Sequence, residues 1–189
     1  MSLIPAFEIG VWNAWLFMSS FLLQWLAVGP ASKRVSQRTG HPTDMKRSKS
    51  DQRIGMAATI TWLIATAYSI FLPLQLGTIW FYIGLGVFLS GLIILIVATL
   101  NFAMAPHNKP IIGGLYRYSR HPMYLAMFLI YVGTSLASAS WLFFLLTITT
   151  VVLIRLESIL EETYCLEKYG NAYREYMNRT PRWIGKPKS

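Results

Sequence analysis

The stretch that decides the fold runs from residue 54 to residue 108: IGMAATITWLIATAYSIFLPLQLGTIWFYIGLGVFLSGLIILIVATLNFAMAPHN. These 55 residues lie between Arg53 and Lys109 and contain no Asp, Glu, Lys or Arg. A spanning helix needs about 20 apolar residues, so the stretch holds two. Leu72-Pro73-Leu74-Gln75-Leu76-Gly77 divides it, because proline lacks a backbone donor and glycine permits a turn. We therefore expect a hairpin of two spans, about residues 54–72 and 78–101.

The same reading extends outward. Between Glu8 and Lys33 lie 24 residues without those charges, which makes a first span at about 9–30. Between Arg120 and Arg155 lie 34 more. A run of small residues from Ser135 to Ser140 breaks them into spans of about 122–137 and 140–158, followed by a tail over about 159–189. The last two spans are short, so a buried hairpin that does not cross is the alternative. The expectation is an all-α integral membrane protein in a single domain covering 1–189, with about five transmembrane helices and a cytoplasmic C-terminal helical tail.

Composition agrees. Of 189 residues 54% are hydrophobic and 13% charged, and the mean hydropathy is +0.43, whereas soluble domains are about a quarter charged. The seventeen Lys and Arg against eight Asp and Glu are spread after the first, third and fifth spans. With five spans all fall on one side, so the positive-inside rule places the N-terminus outside and the C-terminus in the cytoplasm. This distribution, with no RNA- or DNA-binding motif, argues against nucleic acid as a partner. One cysteine, Cys165, excludes an internal disulfide framework, and three histidines without paired spacing predict no metal site. The start of the chain lacks the basic region of a signal peptide, so the first apolar run is read as retained. Trp12, Trp25, Trp80 and Trp141 fall near span ends and read as interfacial anchors. Gly77, Gly84 and Gly91 recur every seven residues and read as a helix-packing face.

The segments outside the spans are too short for a separate catalytic core, so chemistry has to be built where they meet the membrane. Residues 101–124, NFAMAPHNKPIIGGLYRYSRHPMY, concentrate the polar groups and end at a helix start, with Pro122 in the first turn and His121 at the cap. Such a terminus, with Arg120 beside it, favours a carboxylate or phosphate. Arg117 reads as a headgroup contact. The fifth span continues into IRLESILEETYCLEKYG, with Gly170 as the stop. Glu157 and Glu161 are one turn apart on one face, and Arg155 and Glu162 two turns apart on an adjacent one. The aromatic and basic tail is either an amphipathic helix on the bilayer or a lid over a cofactor.

Gly114-Leu115-Tyr116-Arg117-Tyr118-Ser119-Arg120-His121-Pro122-Met123-Tyr124, followed by Glu161-Glu162, Tyr169-Gly170, Tyr173, Tyr176 and Pro181-Arg182, resembles the isoprenylcysteine carboxyl methyltransferase and phospholipid N-methyltransferase superfamily. The likeness covers about residues 101–184, and the small size with five expected spans looks like a prokaryotic integral membrane methyltransferase of that group. It implies S-adenosylmethionine as cofactor, leaving as S-adenosylhomocysteine, in a cytoplasm-facing pocket. By position, Tyr116, His121, Pro122, Met123, Tyr124 and Glu161 would contact it, with His107 a further candidate one residue farther from Tyr116 than in the eukaryotic enzymes. Arg120, Glu162 and Arg155 would act on the acceptor, a Glu taking a proton from an amine or an Arg orienting a carboxylate. Where the eukaryotic carboxyl methyltransferases carry a substrate-facing Arg, this chain has Glu157, which would receive a prenylcysteine carboxylate poorly unless Arg155 compensates from the neighbouring face, so a prenylcysteine-like carboxylate and a lipid amine both stay open as acceptors. The expected partners are a lipophilic or prenylated substrate entering from the bilayer and the membrane lipids themselves. The rival readings are a small multispan transporter, which needs polar residues deep in the spans, and a helix-packing scaffold without catalysis, indifferent to change at His121 and Glu161.

Overall fold

The computed structural model describes residues 7–28, 48–105 and 109–187, the side chains of 25–28 excepted. Among the described residues are six α-helices and no strand: α1 (Trp15–Val28), α2 (Lys49–Ile70), α3 (Ile79–Met104), α4 (Pro122–Ala137), α5 (Trp141–Tyr169) and α6 (Asn171–Arg179). A single 3-10 turn, Gly114–Arg117, precedes α4.

Local chemistry sets these boundaries. Ser48 and Asp51 form a reciprocal capping box at the start of α2, satisfying backbone donors that have no partner within the helix. Thr78 and Ser140 cap α3 and α5 in the same sense, each accepting from the amide three residues on. Pro122 occupies the first turn of α4, where its missing donor costs nothing.

Two helices, α3 with 26 residues and α5 with 29, are long and apolar enough to cross a bilayer. The α1 and α4 helices are apolar but shorter, at 14 and 16 residues, and α2 opens on the charged turn Lys49 to Arg53. The first helix begins at Trp15 and not near residue 9. Asn13 is the cause: its side-chain amide donates to Glu8 O at 2.6 Å and Ile70 O at 2.7 Å, while Ala14 N and Leu74 N pair with Leu72 O and Trp12 O. The segment before α1 is thereby tied to the α2–α3 turn, its backbone groups satisfied without helix. The fifth helix runs eleven residues beyond the expected end of its span, to Tyr169, and stops where Gly170 adopts φ +56°.

Helix α4 lies along α3, then reverses through Ser138–Ser140 so that α5 packs on α2 and α4. Close approach of α3 and α4 depends on missing side chains. A Cβ on Gly84 would fall 2.3 Å from Ala137 N, and one on Gly133 2.6 Å from Phe88 N. Gly84 and Gly91 thus serve packing, whereas Gly77, at φ +77°, serves the turn. The core gathers Phe17, Phe88, Leu95, Ile130, Tyr131 and Phe143. Outside it, Ile83, Leu89, Ile93, Ile96 and Leu100 on α3 and Leu145, Ile148 and Val152 on α5 are exposed. Apolar surface this continuous calls for an apolar solvent. Trp12, Trp80 and Trp141 are exposed too, while the Trp25 side chain is outside the described residues.

Candidate active site

Beyond α3 the chain returns through the turn at Gly114. Asn101, near the end of α3, fastens it by accepting from Leu115 N at 2.9 Å, and a Cβ at Gly114 would overlap the same side chain. The turn leads into Arg120 and His121. Ser119 Oγ accepts from the His121 amide at 3.1 Å and donates to Arg182 O at 3.3 Å, so this loop and the tail are already joined before any charge is counted.

The last turns of α5 meet α4's start at the same end of the bundle. Glu162, buried, accepts from Arg120 Nε at 2.8 Å, from Arg182 Nη2 at 2.6 Å and from Arg182 Nε at 3.1 Å, and its Oε1 lies 3.1 Å from His121 Nε2. Arg120 spends its remaining reach on the tail, donating from Nη1 to Met177 O and Thr180 O. Burial disfavours the Glu162 carboxylate, but His121, Arg182 and Arg120 outweigh it and hold its pKa down at about 2, from 4.5. With these donors on it, Glu162 binds three chain segments together.

Glu161 differs. Its side chain is 41% exposed, and it accepts from Tyr124 Oη at 2.5 Å, with His121 Nδ1 at 3.5 Å. The imidazole is buried, which opposes its charged form, yet the hydrogen bonds and charges of Glu161 and Glu162 raise its pKa above the ordinary 6.5. The His121 and Tyr124 rings stack at 5.5 Å, and Trp183 stands 6.1 Å from His121. Tyr116 is buried behind them, its carbonyl accepting from Tyr176 Oη at 2.7 Å. That bond and the buried Tyr173 and Tyr176 dock α6 on the loop, so the tail folds back onto the site.

Two hollows flank Tyr124. One, of about 310 Å³, opens between α2, α4 and α5 and is lined by Thr59, Trp62, Tyr124, Tyr131, Thr150 and Glu157, with apolar neighbours. The other, of about 270 Å³, is bounded by Tyr124, Leu125, Phe128, Val151, Ile154 and Trp183.

The structure thus brings together Arg120, His121, Pro122, Tyr124, Glu161 and Glu162, with Tyr116 and Met123 at their margin. Arg155 stays apart. It is exposed, and among the described residues its side chain makes no ion pair with these carboxylates. Although 155 and 162 share a helix face, the loop and tail that enclose Glu162 do not extend two turns back. His107 lies outside the described residues. Arg182, Ser119 and Asn101 had no expected role; the Pro181-Arg182 pair was the one sequence signal for the first, and the other two are legible only from tertiary contacts. Among the described residues no group of three or more His, Cys, Asp or Glu side chains could hold a metal ion.

A helical bundle with an apolar exterior and one polar, aromatic end suits a membrane protein whose polar groups gather at one end. Comparison with known families makes that class specific: residues 72–172 match the phospholipid methyltransferase family. The chain belongs to this family, part of the membrane methyltransferase superfamily to which its motifs point. No curated protein and no solved structure matches it. The matched segment runs from the α2–α3 turn to the start of α6, and so contains every residue of the cluster except Arg182 and the tail carbonyls.

Proposed function

We propose that the protein transfers a methyl group from S-adenosylmethionine to a lipophilic acceptor at the cytoplasmic face of a membrane that it crosses several times, with the C-terminus on that face. The observation that carries this reading is the meeting of His121 and Tyr124 at the start of α4 with Glu161 at the end of α5, beside hollows reached from the apolar flank. When bound, the cofactor supplies an electrophilic methyl on a sulfonium.

The residues present fit such a group. A cationic ligand is favoured beside the half-exposed Glu161 carboxylate and the stacked faces of His121 and Tyr124. At the start of α4, His121 makes no side-chain cap, so the first-turn amides and the helix dipole remain available to a ligand carboxylate. We assign cofactor contact to Tyr116, His121, Pro122, Met123, Tyr124 and Glu161. Arg120 and Glu162 are positioning residues, because their ionic contacts hold α4, α5 and the tail in register. A lipophilic acceptor reaches the site laterally between helices, and exclusion of water there keeps nucleophile and methyl aligned. The buried Thr134, Ser138 and Thr147 hydroxyls donate to carbonyls of their own helix and form no polar path for an ion.

Titration calorimetry of the purified protein with S-adenosylhomocysteine tests the reading. Binding is expected, and His121→Ala or Glu161→Ala should weaken it strongly; absence of heat in the wild type overturns it. Incubating membranes with methyl-labelled cofactor then identifies the acceptor: base releases the label from an ester and leaves it on an amine.

A further inference from the structure

Cationic side chains that the site does not use gather along the seam between the loop before α4 and the tail. Arg117, Arg179 and Lys186 are exposed, and among the described residues none of them makes an ion pair. Backbone contacts set the seam. Arg120 N donates to Pro181 O at 3.0 Å, Gly185 N donates to Tyr118 O at 3.1 Å, and Thr180 Oγ1 donates to Arg117 O at 3.5 Å. Arg117 and Arg179 are thereby neighbours across the seam, and Lys186 follows the tie at Gly185. Glu175, one turn before Arg179 on α6, offsets only part of this charge. Among the cations, Tyr118 is 51% and Ile184 73% exposed. Trp183 fixes the level of the seam, because it lines the hollow with Phe128, Val151 and Ile154 on the apolar flank. The residues beside it therefore stand where that flank gives way to the polar end of the bundle.

We infer that this seam is a binding surface for the head groups of anionic phospholipids, which hold the loop and tail against the bilayer. Cations at the level of the head groups attract anionic lipid, each by a comparable increment, and salt screens the attraction. The exposed apolar residues favour the same place. In water the Ile184 and Tyr118 side chains order solvent around them, whereas at the head-group boundary they are buried beside acyl chains. Charge and apolar surface on one short seam are the two features by which a segment lies on an anionic membrane. The inference rests on the part of the proposed function that sets this end of the bundle at a membrane face, and it does not depend on methyl transfer.

The test measures lipid binding, not turnover. The full-length protein in neutral detergent is mixed with equimolar dioleoylphosphatidylglycerol and dioleoylphosphatidylcholine, and the lipids it retains are counted by native mass spectrometry. Three cations against Glu175 leave two net charges, for which an excess of phosphatidylglycerol of about thirtyfold is expected at low salt. Raising the ammonium acetate concentration should shrink it. Arg117→Gln alone should lower the excess about fivefold, and Arg117→Gln, Arg179→Gln and Lys186→Gln combined should remove most of it. A control with Lys49→Gln, Lys168→Gln and Arg174→Gln loses the same charge from exposed positions outside the seam and should keep it. Binding of S-adenosylhomocysteine by each variant shows that it is folded. Equal retention of the two lipids by wild type, or equal loss of the excess in the seam variant and the control, overturns the inference and leaves the methyltransferase reading standing. Failure of wild type to bind S-adenosylhomocysteine overturns that reading alone.

Discussion

Replacing Glu162 by Gln removes one charge and almost no volume, so its effect isolates the electrostatic part of the knot between α4, α5 and the tail. The carboxyl titrates at about 2 in the folded protein against an ordinary 4.5. At 1.36 kcal/mol per pH unit that difference bounds the stabilisation at about 3 kcal/mol. Arg182 is 31% exposed, and solvent screening of that arm reduces the figure to roughly 2 kcal/mol. Because the folded pKa is depressed, this stability is present above pH 4.5 and is lost as pH falls toward 2. In a chain of this length 2 kcal/mol corresponds to a fall in Tm of about 4–8 °C. Thermal unfolding in detergent, followed by tryptophan fluorescence, should show that gap at pH 7 and show it closing from pH 4.5, where the unfolded carboxyl takes up a proton, toward about 2, where the folded one does so too and resembles Gln. Superimposable melts at pH 7, or a gap that persists unchanged to pH 3, would refute the assignment of Glu162 as the ionic tie.

Other perturbations probe separate parts of the bundle. His121→Gln should cost most stability below about pH 6.5 and progressively less as pH rises through the raised folded pKa, since a partnered imidazolium stabilises only while protonated; comparing unfolding of the two proteins at pH 6 and pH 9 checks this. Gly133→Leu places a side chain where Phe88 N already lies within 2.6 Å of the Cβ position, and should cost about 3 kcal/mol or more or abolish the monodisperse peak in size-exclusion chromatography. Tyr176→Phe deletes a buried hydrogen bond to Tyr116 O, which should cost about 1–2 kcal/mol and speed amide exchange across residues 171–187. Burial, with Glu161 nearby, pushes the Cys165 thiol up to about 11, so at pH 8 it should alkylate roughly 100-fold more slowly than an unperturbed thiol. Mass spectrometry after timed exposure to iodoacetamide reads that rate.

The amino-acid sequence by itself determined the helical class, the break at Leu72–Gly77, the bounds of α4 and the stop at Gly170, because each depends on local rules: charge-free length, proline's missing donor, glycine's tolerance of positive φ. The pairing of residues 114–124 with Glu161-Glu162 was legible as motif, since both fall at helix ends facing one polar layer. Tertiary structure decided the division of labour within the pair. Neighbours in sequence, Glu161 and Glu162 lie about 100° apart around α5, and that rotation leaves one carboxylate half open beside Tyr124 while the other is enclosed by Arg120, His121 and Arg182. It likewise separated Arg155 from Glu162 despite their shared face, and shortened α1 through Asn13. No periodicity encodes these outcomes, because each is fixed by contacts between segments 20 to 60 residues apart.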